Sequence, residues 1–293
     1  MIDVHELLAR AAARVEPALI EAVPKLEGPL GRLHESMRYS LLAGGKRLRP
    51  AICFAACEAA GGAPEDALPA AVALELIHTY SLVHDDLPCM DDDDLRRGRP
   101  TNHVVFGEAL AVLAGDGLLT RAFGVLAEAG FPPARRIEMV AVLAEAAGSR
   151  GMVGGQALDL AAEGTEVDLP TLQYIHTHKT GALFVASCRL GGIAAGAGET
   201  ERAGLDRFGE RIGLAFQIVD DVLDETSTPE QLGKGTGKDQ SRGKATYPGL
   251  IGLAESRRRV AELAREAEEV AREFGPPGAS LAALARFVGE RTS

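Results

Sequence analysis

The chain has 293 residues, 46% of them hydrophobic and 25% charged, and its 42 acidic and 31 basic residues give a formal net charge of −11. That length can bury a sizeable apolar core, as one large domain or two ordinary ones, and the composition excludes disordered and fibrous classes. The acidic excess argues against nucleic-acid binding, which needs a basic surface on one face.

Residues 1–10 carry Asp3 and Glu6 where a signal peptide would have a basic region and an apolar stretch, so a cytoplasmic protein is expected. From there apolar residues recur at three- and four-residue spacing nearly throughout, alanine is abundant and no stretch alternates in polarity. The pattern predicts an all-α protein. Early in the chain LLAGGKRLRP brings Lys46 and Arg49 together beside a Gly-Gly pair. Cys53 and Cys57 then share a helix face among alanines, and with Cys89 and Cys188 they form no CxxC pair, so buried free thiols are expected. After a break at residues 61–66, a helix carries His78, Tyr80 and Ser81 and ends near His84. Asp116, Arg121 and Arg189 interrupt the most apolar stretches that follow, so no membrane span is expected. Breaks at 130–135 and 196–201 precede a helix marked by Leu205, Phe208, Ile212, Phe216 and Val219. Residues 227–244 are rich in Gly, Lys and Thr and read as a functional lid suited to an anion. Between 255 and 273 charges of both signs alternate at helical period, as on a solvated amphipathic helix. No long linker divides the chain, so one domain spanning residues 1–293 is expected.

Two stretches carry chemistry. The first, Asp85-Asp86-Leu87-Pro88-Cys89-Met90-Asp91-Asp92-Asp93-Asp94, packs six carboxylates into ten residues. Pro88 stops the helix and lets the second group fold back toward the first, while Asp85 and Asp92 stand seven residues, or two helical turns, apart. Such repulsion is tolerated where a hard divalent cation takes oxygen ligands, and Mg²⁺ shared between carboxylates and substrate phosphates fits best. In the second, Asp220-Asp221-Val222-Leu223-Asp224, carboxylates at i, i+1 and i+4 share a helix face at the end of an apolar segment, where charges need partners. Arg96 and Arg97 directly follow the first cluster, and with Lys46, Arg49, Lys179, Lys234 and Lys244 they offer forks and point charges for phosphate oxygens. A Walker-type nucleotide loop is excluded at Lys46 and Lys238, because the glycine needed six residues earlier is Ser40 or Leu232. His78 lies two turns before Asp85 on the same helix, which would also line an apolar cavity below the aspartates. A diphosphate head above an oily pocket points to a lipid-like substrate.

In their order along the chain, LLAGGKRLRP, LELIHTYSLVHDDLPCMDDDDLRRGRPTNH, GMVGGQALDL, HKTGALF, GLAFQIVDDVLD and LGKGTGKDQSRGKATYP resemble segments of the trans-isoprenyl diphosphate synthases, the polyprenyl synthetase family. The resemblance implies antiparallel helices around a deep central cavity, a homodimer, and three Mg²⁺ ions that two aspartate-rich motifs hold on an allylic diphosphate. By position it makes Asp85 and Asp91 metal ligands of the first motif and Asp220 the principal ligand of the second, with Asp86, Asp221 and Asp224 in support. Lys46, Arg49, His78 and Arg97 match the pocket for isopentenyl diphosphate. Arg96, Lys179, Thr180, Gln217, Lys234 and Lys244 match groups around the allylic diphosphate, with Lys179, Thr180 and Gln217 as the catalytic set. The implied reaction ionises the allylic diphosphate and couples the cation to isopentenyl diphosphate without a side-chain general base.

In short-chain relatives, bulk four and five residues before the first aspartate limits the product, and here those residues are Ser81 and Tyr80. Together with the Pro88-Cys89 insertion, Tyr80 resembles the pattern of bacterial farnesyl diphosphate synthases, so a C15 product is expected, with geranylgeranyl diphosphate as the alternative. A terpene cyclase would carry Ser or Thr where Asp224 stands, and a catalytically silent synthase subunit would lack one of the aspartate motifs.

Overall fold

The computed structural model describes residues 2–226 and 244–291. Helices α1 (Val4–Ala22), α2 (Gly31–Leu41), α3 (Leu48–Ala59) and α4 (Leu68–Asp85) lead into two short strands, β1 (Leu95–Arg96) and β2 (Arg99–Pro100). These pair antiparallel, Leu95 with Pro100 and Arg96 with Arg99, and are the only sheet among the described residues. Then come α5 (Asn102–Phe106), α6 (Glu108–Glu128), α7 (Pro133–Ala147), α8 (Met152–Ala162) and α9 (Leu169–His176). A π-helical turn, Thr177–Gly181, joins α9 to α10 (Ala182–Ala195), after which run α11 (Glu199–Thr226), α12 (Tyr247–Ile251), α13 (Leu253–Glu273) and α14 (Ala279–Gly289). The all-α expectation holds.

Apolar pattern decides which helices are central. α10 is apolar nearly all round, and it lies in the core between α3 and α11. Its approach to α3 requires glycine, since a Cβ on Gly191 would stand 2.3 Å from the Cys53 carbonyl oxygen. α13 has the opposite character. It buries the stripe Val260, Leu263, Ala267 and Val270 against α11 and turns its charged face to solvent, as the alternation of its charges predicts. Three cysteines are buried and free, but Cys89 is exposed. Pro88 has already ended α4 there, so no core surrounds that thiol.

α6 corrects the ground on which a membrane span was set aside. Despite Asp116 and Arg121 it is long and apolar enough, by length and composition, to cross a bilayer. In this fold it lies along α4, with Ala111, Ala114, Leu118, Ala122 and Leu126 buried, while Val112 and Leu113 remain exposed.

α4 ends where the sequence predicts. Leu87 and Pro88 turn the chain, the Asp91 amide donates to the Asp85 carbonyl at 2.8 Å, and the Asp93 amide donates to that of Asp86 at 3.2 Å. The second group of aspartates thus folds back onto the first. Asp92 is not stacked two turns above Asp85, because the helix has stopped; it is exposed, in a left-handed conformation with φ 49°.

Candidate active site

The end of α4, the turn that follows it, α6, α8, the π-turn and α11 enclose a cavity of about 860 Å³. Asp85, Asp91 and Asp93 line it from the first acidic stretch, and Asp220 and Asp224 line it from α11. All are hard oxygen donors, the set that suits Mg²⁺. Among the described residues no three His, Cys, Asp or Glu side chains converge closely enough to hold a cation unaided. Burial, with Asp91 nearby, pushes the Asp85 carboxyl up to about 6, so the cavity holds a desolvated anion whose charge a cation would relieve.

Both aspartate pairs split in the same way. Asp85 faces the cavity, whereas Asp86 is buried and bound by Arg96, whose Nε and Nη2 stand 2.7 and 2.6 Å from its Oδ1. Asp220 lines the cavity beside Arg291, whose Nη1 donates to its Oδ1 at 2.7 Å. Asp221 is buried and engaged from three sides: by the His176 ring at 2.9 Å, the Tyr247 amide at 3.0 Å and the Gln217 carboxamide at 3.2 Å. Successive residues on a helix point about 100° apart, so the second member of each pair meets protein partners; Asp86 leaves the cavity lining altogether, whereas Asp221 still borders it.

One group of cations surrounds His78. Arg49, His78 and Arg97 line the cavity together; burial, then Arg49 and Arg97, hold the His78 ring well below the usual range, so it is neutral there. Arg49 Nε is buried without a hydrogen-bond partner, an orphan donor that an anionic ligand would satisfy. Lys46 lies outside this group. It lines a neighbouring cavity of about 480 Å³ with Phe287, and the two cavities meet at Arg291. Lys234 lies outside the described residues.

Lys179 and Thr180 sit on the π-turn, a geometry common at functional sites. A Cβ on Gly155 of α8 would stand 2.1 Å from the Lys179 amide nitrogen, and one on Gly213 of α11 would stand 2.9 Å from Gly181 Cα. Two glycines therefore let the flanking helices close on this turn. Thr180 Oγ1 donates to Gln217 Oε1 at 2.7 Å, which fixes the carboxamide that in turn donates to Asp221. Lys179 Nζ reaches Asp159 Oδ2 at 2.6 Å and Lys244 reaches the same oxygen at 3.1 Å. Burial alone would raise the Asp159 carboxyl, but the two lysines hold it below its ordinary value.

With this geometry in view, the comparisons decide the family. The family model described as polyprenyl synthetase matches residues 31–274. The chain belongs to the polyprenyl synthetase family. It is 52% identical over 293 residues to a chloroplastic geranylgeranyl pyrophosphate synthase of Catharanthus roseus, covering 99% of this chain and 82% of that one. It is 47% identical over 293 residues to a farnesyl diphosphate synthase of Geobacillus stearothermophilus, covering 99% and 98%. The solved geranyltransferase of Helicobacter pylori, complexed with magnesium and isoprenyl diphosphate, superposes with a TM-score of 0.85 at 33% identity, covering 98% of this chain and 97% of that one.

As a polyprenyl synthetase family member the chain shows an apolar flank below its carboxylates. Tyr80 is buried there, edge-on to His84 at 5.8 Å, and burial pushes its hydroxyl up to about 12. Ser81 also lines the cavity, although its hydroxyl is turned back to the His78 carbonyl at 2.9 Å. Val112 of α6 and Met152, Val153 and Leu160 of α8 complete that flank.

Sequence reasoning missed three residues of this site and one buried behind it. Arg291 looks like any terminal arginine, and nothing in its neighbourhood predicts its reach to Asp220. Asp159 did leave a signal, as the one charge in the apolar run MVGGQALDLAA of α8. Gln156 from the same run lines the cavity with both carboxamide atoms buried and unpartnered. Glu75 is hidden as one buried acid in an apolar helix.

Proposed function

We propose that this single-domain chain, residues 1–293, is a short-chain trans-prenyltransferase that condenses isopentenyl diphosphate with dimethylallyl and geranyl diphosphates and releases farnesyl diphosphate. The observation that carries this reading is the shape of one cavity: carboxylates from two helices, a cationic end with an orphan guanidinium donor, and an apolar flank closed by Tyr80. Asp85, Asp91 and Asp220, with Asp224 beside them, hold Mg²⁺, three ions by analogy with the family. When bound, Mg²⁺ supplies fixed positive charge against the negative charge that grows on the departing diphosphate.

The chain's own residues do the rest. Lys179, Lys244 and Arg96 neutralise the allylic diphosphate as its C–O bond breaks, with Lys234 in the same role. Thr180 and Gln217, tied to each other at 2.7 Å, present oxygen dipoles to the allylic cation. Arg49, Arg97 and the neutral His78, with Lys46, hold isopentenyl diphosphate so that its double bond meets that cation and a carbon–carbon bond forms. The proton then lost passes to the released diphosphate. Apolar side chains on α4, α6 and α8 keep water from the cation.

A geranylgeranyl product is the second reading, favoured by the 52% identity to the Catharanthus roseus enzyme. A homodimer is supported by the exposed apolar residues Val104 and Val105 of α5 and Leu113 of α6, which a second copy would cover. α6 is then a core and interface helix instead of a membrane span, and a cytoplasmic location is the reading adopted for the chain.

The test incubates purified protein with Mg²⁺, isopentenyl diphosphate and dimethylallyl, geranyl or farnesyl diphosphate, and separates the products by chromatography. Chains ending at C15 support the farnesyl reading, and chains reaching C20 support the alternative. No product from folded protein with any primer would refute prenyl transfer.

A further inference from the structure

Arg47 and Glu75 form an ion pair whose side chains are only 3% and 4% exposed, with Nη1 donating to Oε2 at 2.8 Å. Arg47 Nη2 also donates to the Leu41 carbonyl at 3.0 Å, so one guanidinium ties the end of α2 to the middle of α4. A buried pair is weak evidence of stability, because desolvating two charges offsets most of their attraction. Its position is more informative.

Arg47 stands immediately before α3 in a left-handed conformation, φ 49°, that a side chain of its type rarely adopts. Such strain persists only where the surroundings over-determine it. The residue is flanked by Lys46 and, two further on, by Arg49. Across the same loop Arg97 donates to the Gly44 carbonyl, and a Cβ on Gly45 would stand 2.6 Å from the Arg97 guanidinium. Glu75 lies three residues before His78 on α4 and acts electrostatically on both Arg49 and Arg97. One buried carboxylate therefore serves three clustered guanidiniums, two of which, Arg49 and Arg97, line the cavity.

We propose that the buried Arg47–Glu75 pair is the positioning element of the cationic pocket: it locks the loop before α3 and lets Arg49 and Arg97 sit side by side before a diphosphate arrives. The inference rests on the reading of Arg49, His78 and Arg97 as the isopentenyl diphosphate end of the cavity. Neither Arg47 nor Glu75 lines that cavity, so they act through their neighbours.

The double variant Arg47→Met/Glu75→Leu removes both charges of the pair without leaving either of its two members unpaired, and it also takes from Arg49 and Arg97 the carboxylate that acts on them. Glu75→Asp, which keeps the charge and shortens its reach, is the second variant should the first not fold. Each is checked by circular dichroism and assayed with both substrates varied. The KM for isopentenyl diphosphate should rise on the order of 10- to 100-fold in the double variant and less in Glu75→Asp, while the KM for the allylic partner stays at the wild-type value. Folded variants with a wild-type KM for isopentenyl diphosphate, or an equal rise in both KM values, would overturn the proposal. Calorimetric titration of inorganic diphosphate in EDTA gives a readout that needs no turnover. Weaker binding by the variants supports the positioning role and equal binding overturns it, even if the wild-type protein proved to make no prenyl product.

Discussion

Replacing Gly155 by alanine tests how the π-turn delivers Lys179 and Thr180 to the cavity. The added Cβ would meet the Lys179 amide nitrogen at 2.1 Å and Lys179 Cα at 2.5 Å, where 3.4 Å is the lower edge of ordinary contact. Both neighbours are backbone, so no flexible side chain can swing aside. Either α8 or the π-turn must retreat by about 1 Å, a displacement that can lower a rate on the order of a hundredfold when it separates groups aligned for reaction. The corresponding barrier increase is about 2.7 kcal/mol. Steady-state assays should therefore show kcat down by about two orders of magnitude, with circular dichroism still helical and the KM for isopentenyl diphosphate little changed, because Arg49 and His78 lie on other elements. A Gly155→Ala enzyme within twofold of wild-type kcat would refute the argument that this close approach sets the catalytic geometry.

Four further outcomes are expected. Tyr80→Ala should lengthen the product beyond C15 and cost about 3 kcal/mol of stability, read by chromatography and thermal melting; an unaltered product distribution would remove Tyr80 as the cavity floor. Asp85, raised to about 6 from 3.8, binds its proton more tightly folded than unfolded, so metal-free protein should lose stability as pH climbs from about 4 to about 6. Mg²⁺ should reverse that loss and release protons near pH 6, and calorimetry in buffers of different ionisation enthalpy showing no proton release would contradict it. Asp220→Asn should lower kcat on the order of 10²- to 10³-fold with the melting temperature little changed, whereas Asp221→Asn should lower both kcat and the melting temperature by disturbing the contacts to His176 and Tyr247; identical effects in both assays would deny the division between them. The proposed homodimer should give way to monomer in Leu113→Glu by light scattering; a dimer that persists would place the interface elsewhere, and a monomeric wild-type chain would refute the dimer.

The helical frame was legible because burial follows the 3.6-residue period almost element by element, as α13 shows with Val260, Leu263, Ala267 and Val270. The turn after Asp85 was equally legible, since Pro88 cannot continue a helix. What the sequence could not reveal is direction. Asp85 and Asp86 are chemically identical, and only the packing of α4 decides that one faces the cavity while the other meets Arg96. Partners distant in sequence were hidden for the same reason: His176 is 45 residues from Asp221, and Arg291 is 71 from Asp220. Lys46 and Arg49 are neighbours in the motif, yet the left-handed residue between them sends the two side chains to different cavities.

The tandem aspartates pose a physical problem that their partners solve. A single carboxylate at the end of an apolar helix could face a metal, but the helix end carrying it would be free to fray. The second carboxylate removes that freedom. Asp86 binds Arg96 and so fixes the hairpin to α4, and Asp221 gathers His176 from α9, the Tyr247 amide from α12 and Gln217 from its own helix. Each of these second carboxylates also recruits, through its partners, a segment that carries a cavity-lining cation: Arg96 and Arg97 on the hairpin, Lys179 just after His176, and Lys244 three residues before Tyr247. The carboxylates proposed for metal and the cations proposed for phosphate are thus positioned by the same two buried anions. A change at Asp86 or Asp221 should consequently disturb both charge sets together, whereas a change at Asp85 or Asp220 should disturb only the first.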